Sequence, residues 1–174
     1  MTSKRALNEK KDAKDSIDLL LADWARERPD LDPWAFEISG RLWRASSSVL
    51  KKTEDWLSPL GLTFESFSVI VTLRRSGHPF QMNPTALYRH SLLSSGAMTN
   101  RIDRVENAGL VVRRADPNDR RGTLVQLTAK GRKLADRAIA IHFEKLAELL
   151  SPLSLAERVQ LSTLLTKVAV ALEE

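Results

Sequence analysis

The chain has 174 residues, 43% hydrophobic and 28% charged, with a formal net charge of +5; this is the material of one globular domain with a real core, not of a disordered chain. It has no cysteine, which excludes a disulfide framework, a thiolate metal site and a thiol-based oxidant sensor. No apolar run approaches the ~18 residues of a membrane span, and Lys4, Arg5, Lys10 and Lys11 lead into a polar segment rather than a signal peptide, so a cytoplasmic protein is expected.

Residues 1 to about 12 are charged and read as a frayed end. From about Ala13 to Arg28 the apolar residues Ile17, Leu20, Leu21 and Trp24 recur at helical spacing, and the run Pro29-Asp30-Leu31-Asp32-Pro33 stops the helix they predict. Asp32 can cap the next helix, with Pro33 in its first turn and Trp34, Ile38, Leu42, Ala45, Val49 and Trp56 continuing an apolar stripe to about Leu57. Gly61 ends that region. Thr63 can cap a further helix carrying Phe67, Ile70, Val71 and Leu73, which Ser76-Gly77-His78-Pro79 closes.

A short helix, Pro84 to His90, is followed after a break by a longer one from Ser95 to Ala108. Ser94 or Ser95 can cap its start, and Gly109 can close it with a left-handed residue. At roughly 100° per residue, Met98, Ile102 and Val105 form an inner stripe. Gly96, Thr99, Asn100, Asp103 and Arg104 lie opposite. That outer face fits a major groove, where Asn pairs with adenine, Arg with guanine, and Thr meets a thymine methyl. Any amphipathic helix also has a polar outside, so the helix alone does not decide.

The hairpin beyond Gly109 settles the matter. Strands Leu110 to Arg114 and Thr123 to Leu127 are predicted to flank a tip from Asp116 to Gly122, with Asp119 placed to brace Arg120 or Arg121. Two adjacent arginines on a hairpin stand where a phosphate backbone or a narrow minor groove would pass. Between Pro84 and Lys133 there are 10 Lys or Arg against 4 Asp or Glu, a net +6, so the rest of the chain is close to neutral. Basic charge focused on one groove-sized module is the footprint of nucleic-acid binding.

Beyond the hairpin, Thr128 can cap a helix whose buried side carries Leu134, Ala138, Ile141, Leu146 and Leu149. Ser151-Pro152-Leu153-Ser154 interrupts, and Leu161, Leu164, Leu165, Val168 and Leu172 trace a last helix. Two terminal helices and a long early one present more apolar surface than a small winged helix can cover. They make either an ordinary helical core or an intertwined dimer interface. No catalytic constellation stands out: His78, His90 and His142 lack metal-ligand spacing and read as surface or internally satisfied histidines, no Gly-rich phosphate loop exists, and Ser46, Ser47 and Ser48 lack a nucleophile elbow. Neither an enzyme nor a metal or cofactor is expected.

The run Ser95-Gly96-Ala97-Met98-Thr99-Asn100-Arg101-Ile102-Asp103-Arg104 with Gly109-Leu110-Val111, then Asp116-Pro117-Asn118-Asp119-Arg120-Arg121 and Leu127-Thr128-Ala129-Lys130-Gly131, resembles the MarR family of winged-helix transcription regulators. The resemblance extends from about Pro33 onward. It implies a mainly α fold with a small β-hairpin wing: a winged helix-turn-helix over 63–128, with dimerisation helices at 33–60 and 129–174. It also implies a homodimer on double-stranded DNA, two reading helices about 34 Å apart on a pseudo-palindromic operator. Ser95, Thr99, Asn100, Arg104, Arg120 and Arg121 are the expected DNA contacts, and repression the expected outcome.

The helix at 13–28 is additional to most of the family, and its segment Ala22-Asp23-Trp24-Ala25-Arg26 looks like the branch that responds to urate. That branch implies a ligand site whose positions fall here on Trp24, Ser68, Arg75 and Arg113. Trp24 and the two arginines match, and would stack on and fork a planar anion. Ser68 departs, standing where the branch has Asp. A hydroxyl cannot pair with a guanidinium as a carboxylate does, which argues against urate itself and for another aromatic or anionic effector. The plainer alternatives are a core aromatic for Trp24 and phosphate contacts or surface ion pairs for Arg75 and Arg113. A regulator with no small-molecule response, or a protein-interaction module, are the competing functions; the latter needs an apolar or acidic face at Thr99 to Arg104.

Overall fold

The computed structural model describes residues 14–91 and 98–173. The chain divides into two units, residues 1–52 and 53–174. In the first, helix α1 (Ser16–Glu27) starts on Asp15, whose carboxylate accepts the N–H groups of Ile17 and Asp18 while Asp18 accepts from the Asp15 N–H. This reciprocal cap satisfies backbone donors that the first turn leaves free. Ile17 is buried against Gly40 of α2 (Trp34–Leu57), where an added Cβ would lie 3.1 Å from the Ile17 Cδ1. Arg41 of α2 bonds Asp15 at 2.8 Å and Asp18 at 2.6 Å. The Ile17 contact and the Arg41 guanidinium join α1 to α2.

The second unit contains the core. The 3-10 turn Ser58–Leu60 ends at Gly61, whose φ of 69° only glycine adopts without cost. Thr63 then caps α3 (Phe64–Arg75), as its sequence position suggests. Helix α3 is the central element: Phe67, Ser68, Val69, Ile70, Thr72 and Leu73 are all buried. Around it stand α4 (Pro84–Arg89), α5 (Met98–Asn107), α6 (Ala129–Leu149) and a three-stranded antiparallel sheet. α4 begins on Asn83, whose Oδ1 accepts from the Ala86 N–H at 2.7 Å. The strands β1 (Gln81–Met82), β2 (Val111–Asp116) and β3 (Asp119–Leu127) lie in the order β1-β3-β2. β1 is two residues long, too short for any alternation to announce it.

The hairpin differs from expectation. Its strands run to Asp116 and from Asp119, so the tip is only Pro117 and Asn118 instead of seven residues. Aspartates read as loop formers, but here both close the turn: Asp116 accepts the Asn118 N–H at 2.9 Å, and Asp119 accepts the Arg121 N–H at 2.9 Å. Helix α7 (Leu155–Glu173) ends the chain with Leu155, Val159, Leu164, Val170 and Leu172 all exposed. Among the described residues no single helix is long and apolar enough to cross a membrane.

Candidate nucleic-acid interface and effector cleft

Helix α5 is seated by Met98, Ile102 and Val105, which are buried, and turns Thr99, Asn100 and Arg104 outward. Ser95, with Ser94 and Gly96, lies outside the described residues. The end of α5 is locked three times. Gly109, at φ 70°, donates to the Glu106 carbonyl at 2.8 Å and Leu110 to the Val105 carbonyl at 2.9 Å, a Schellman closure. The Lys130 ammonium caps the Ala108 carbonyl at 2.7 Å, placing a cation at the negative end of the helix. Thr128 spans the same corner: its hydroxyl donates to the Gly109 carbonyl at 2.8 Å and accepts from the Gly131 N–H at 2.9 Å.

The wing arginines are displayed by a break in register. Ala115 pairs with Thr123 but Asp116 pairs with Asp119, so Arg120, Arg121 and Gly122 have no partner on β2. A bulge of this kind swings its residues out of the ladder and re-aims their side chains. Both arginines are exposed. Gly122 permits the bulge to close, since a Cβ there would fall 2.9 Å from the Asp116 Cβ and 3.0 Å from that of Asp119. Asp119 therefore braces Arg121 through its backbone N–H.

The residues expected to bind an effector fall on both units. Trp24 is on α1 in the first unit, about half exposed. Ser68 and Arg75, two turns apart on α3, come together in a cleft of about 220 Å³ in the second unit, with Phe67, Val71, His90 and His142 also in its lining. Its walls are mostly apolar, and Arg75 places a cation in it; the Arg75 guanidinium donates to the His90 carbonyl at the end of α4. His142 is internally satisfied: Trp56 Nε1 donates to its Nδ1 at 3.2 Å and Phe67 packs on its ring, centroids 4.9 Å apart. Burial lowers its pKa below the ordinary histidine value, and a neutral ring accepting at Nδ1 carries its proton on Nε2.

Arg113 does not line this cleft. From β2 it forks onto two carboxylates of α5, bonding Asp103 at 2.6 Å and also Glu106, whose second oxygen accepts the Arg113 backbone N–H at 3.1 Å. The Asp103 hydrogen bond is the main reason its pKa is raised above the usual arginine value. Sequence reading missed this triad and the aromatic side of the cleft. The i,i+3 acidic pair on α5 was visible, but nothing local says which cation ten residues on will meet it. Among the described residues no cluster of His, Asp or Glu could hold a metal.

Comparison with known proteins bears on this arrangement. A family model described as "MarR family" matches residues 60–122. The HTH-type transcriptional regulator PecS of Dickeya dadantii is 33% identical over 149 residues, covering 86% of this chain and 90% of PecS. An HTH-type transcriptional repressor of Mycobacterium tuberculosis is 32% identical over 127 residues, covering 73% of this chain and 89% of its own. Among solved structures, a MarR variant from E. coli complexed with operator DNA superposes with a TM-score of 0.67 at 28% identity, covering 83% of this chain and 96% of that one. The winged helix-turn-helix geometry and these likenesses together place the chain in the MarR family of transcription regulators.

Proposed function

We propose that this protein binds a pseudo-palindromic operator as a homodimer, represses transcription there, and is released by a small aromatic or anionic ligand. The observation that carries the DNA reading is the joint display of two features on one unit. These are a rigidly closed helix with Thr99, Asn100 and Arg104 outward, and a bulged strand holding Arg120 and Arg121 clear of the sheet. Thr99, Asn100 and Arg104 read base edges in the major groove, and the wing arginines take phosphates or the minor groove. The likeness to an E. coli MarR variant complexed with operator DNA supports DNA as the partner. A face of Thr, Asn and Arg is neither apolar nor acidic, which disfavours the protein-interaction alternative.

The dimer reading rests on surface that one chain leaves bare. Trp24, Trp34, Ile38 and Trp43 in the first unit and the apolar residues of α7 in the second are exposed. Large apolar side chains left exposed along helices mark association sites. The effector reading rests on the cleft at Ser68 and Arg75, whose aromatic walls and single guanidinium suit a planar anion. Arg113 is already held by Asp103 and Glu106, so Arg75 is the cation that meets the ligand.

Fluorescence anisotropy on the DNA upstream of the protein's own gene tests the DNA and effector readings, over a salt series and with urate and related aromatic anions. Binding with a steep salt slope that weakens when one of these compounds is added is the expected result. Arg121→Ala lowers affinity and reduces the slope by about 0.9 for the one phosphate lost. Sequence-independent binding that ignores every anion would remove the operator and effector readings alike. Analytical ultracentrifugation should find twice the 19.5 kDa chain mass.

A further inference from the structure

We propose that Arg113 is a positioning residue that fixes the wing to the reading helix, and that Asp103, although on the outer half of that helix, serves this brace and reads no base. The proposal rests on the DNA-binding reading above. Arg113 pairs across the sheet with Val125 and shares a strand face with Val111 two residues earlier. Both valines are buried whereas Arg113 is exposed, so this strand face runs out of the core at Arg113, whose guanidinium turns to α5. There the guanidinium finds charged partners on the helix. Asp103 and Glu106, three residues apart and hence on one helical face, supply them, and Glu106 takes the Arg113 backbone N–H as well as its guanidinium.

The bonds at the C-terminal end of α5, from Lys130 and through Gly109, hold only that end of the helix. The Arg113 fork adds contacts to the strand at Asp103, more than one turn earlier, and so sets the angle between helix and wing. Charge alone gives no reason for these acids: the triad carries −1 in the middle of a basic module that meets a polyanion. The two explanations therefore predict opposite signs. If only charge mattered, removing a carboxylate beside DNA would tighten binding. If position matters, removing it weakens binding, because the wing arginines no longer meet the backbone in register with the helix.

The test compares the full-length protein with Asp103→Asn, Glu106→Gln, Arg113→Gln and the Asp103→Asn/Arg113→Gln pair. Operator affinity should fall about three- to tenfold in each single variant, the range of one partly exposed charge-assisted hydrogen bond. The salt slope should stay unchanged, and the double variant should be no weaker than the worse single one. Tighter or unaltered binding by Asp103→Asn, or additive losses, overturns the brace. Backbone amide exchange gives a readout without DNA. In Asp103→Asn the amides from Arg113 to Asp116 should exchange about tenfold faster while those of α3 stay protected; no local acceleration also overturns it. Failure of the unaltered protein to bind its operator would count against the DNA reading, and the exchange result would still decide the brace.

Discussion

Replacing Gly131 with alanine should destabilise this protein although the site is inside a helix. Alanine in place of a helical glycine ordinarily gains about 1 kcal/mol. Here the added Cβ would stand 1.9 Å from the Leu110 carbonyl oxygen, 2.8 Å from its carbon and 3.1 Å from its Cα. All three obstructing atoms are backbone, so no rotamer change relieves them, and the corner at the end of α5 must withdraw by more than about 1 Å to restore ordinary contact distances. That corner is committed. The Leu110 oxygen accepts the Thr128 N–H at 3.0 Å, and the Leu110 N–H closes α5 on Val105. Overpacking of this kind costs about 1–3 kcal/mol and each backbone bond lost a further ~1 kcal/mol. Less the helix gain, the net loss is about 2–4 kcal/mol. Urea unfolding followed by circular dichroism at fixed protein concentration reads it as a lower midpoint with unchanged slope. Lys133→Ala, at an exposed position of the same helix, should stay within about 0.5 kcal/mol. A Gly131→Ala protein as stable as the parent would refute the reasoning, because α6 and the Leu110 corner could not then be in contact as described.

Other perturbations obey the same logic. Asn83→Ala removes the acceptor of the Ala86 N–H at the start of α4 and should cost about 1 kcal/mol in thermal unfolding; a loss below a few tenths would mean that the cap does not hold. His142 is depressed by burial, so its contribution is fully present above the unfolded histidine pKa of about 6.5 and is lost as pH falls through the lower folded value. Stability should therefore drop between pH 7 and 5 by more in the parent than in His142→Phe, and equal drops would assign the pH dependence to other groups. Arg74 and Asp136 meet at 2.6 Å but both side chains stay substantially exposed. Asp136→Asn should cost less than about 1 kcal/mol, and a larger loss would point to unrecognised coupling.

Most helices were legible because their signals are local. Thr63 and Thr128 cap helices through their own side chains, Gly61 and Gly109 adopt left-handed closures, and Met98, Ile102 and Val105 lie at one helical angle whatever packs against them. Such features depend on neighbours within four or five residues, so spacing alone reveals them. The basic module and its outward face were legible for the same reason. The hairpin was only partly so: its existence was evident from the Val and Leu runs, but its two-residue tip and the unpaired Arg120-Arg121-Gly122 depend on register between strands. The ligand residues show the limit. Ser68 and Arg75 come together because one helix carries both, but His142 joins them from a segment more than sixty residues later, and Arg113 is drawn to Asp103 and Glu106 by the way β2 leaves α5. Cap, turn and helical face are written in consecutive residues. Which cation meets which carboxylate is decided only when separate elements pack, because charge pairing acts through space and carries no sequence period.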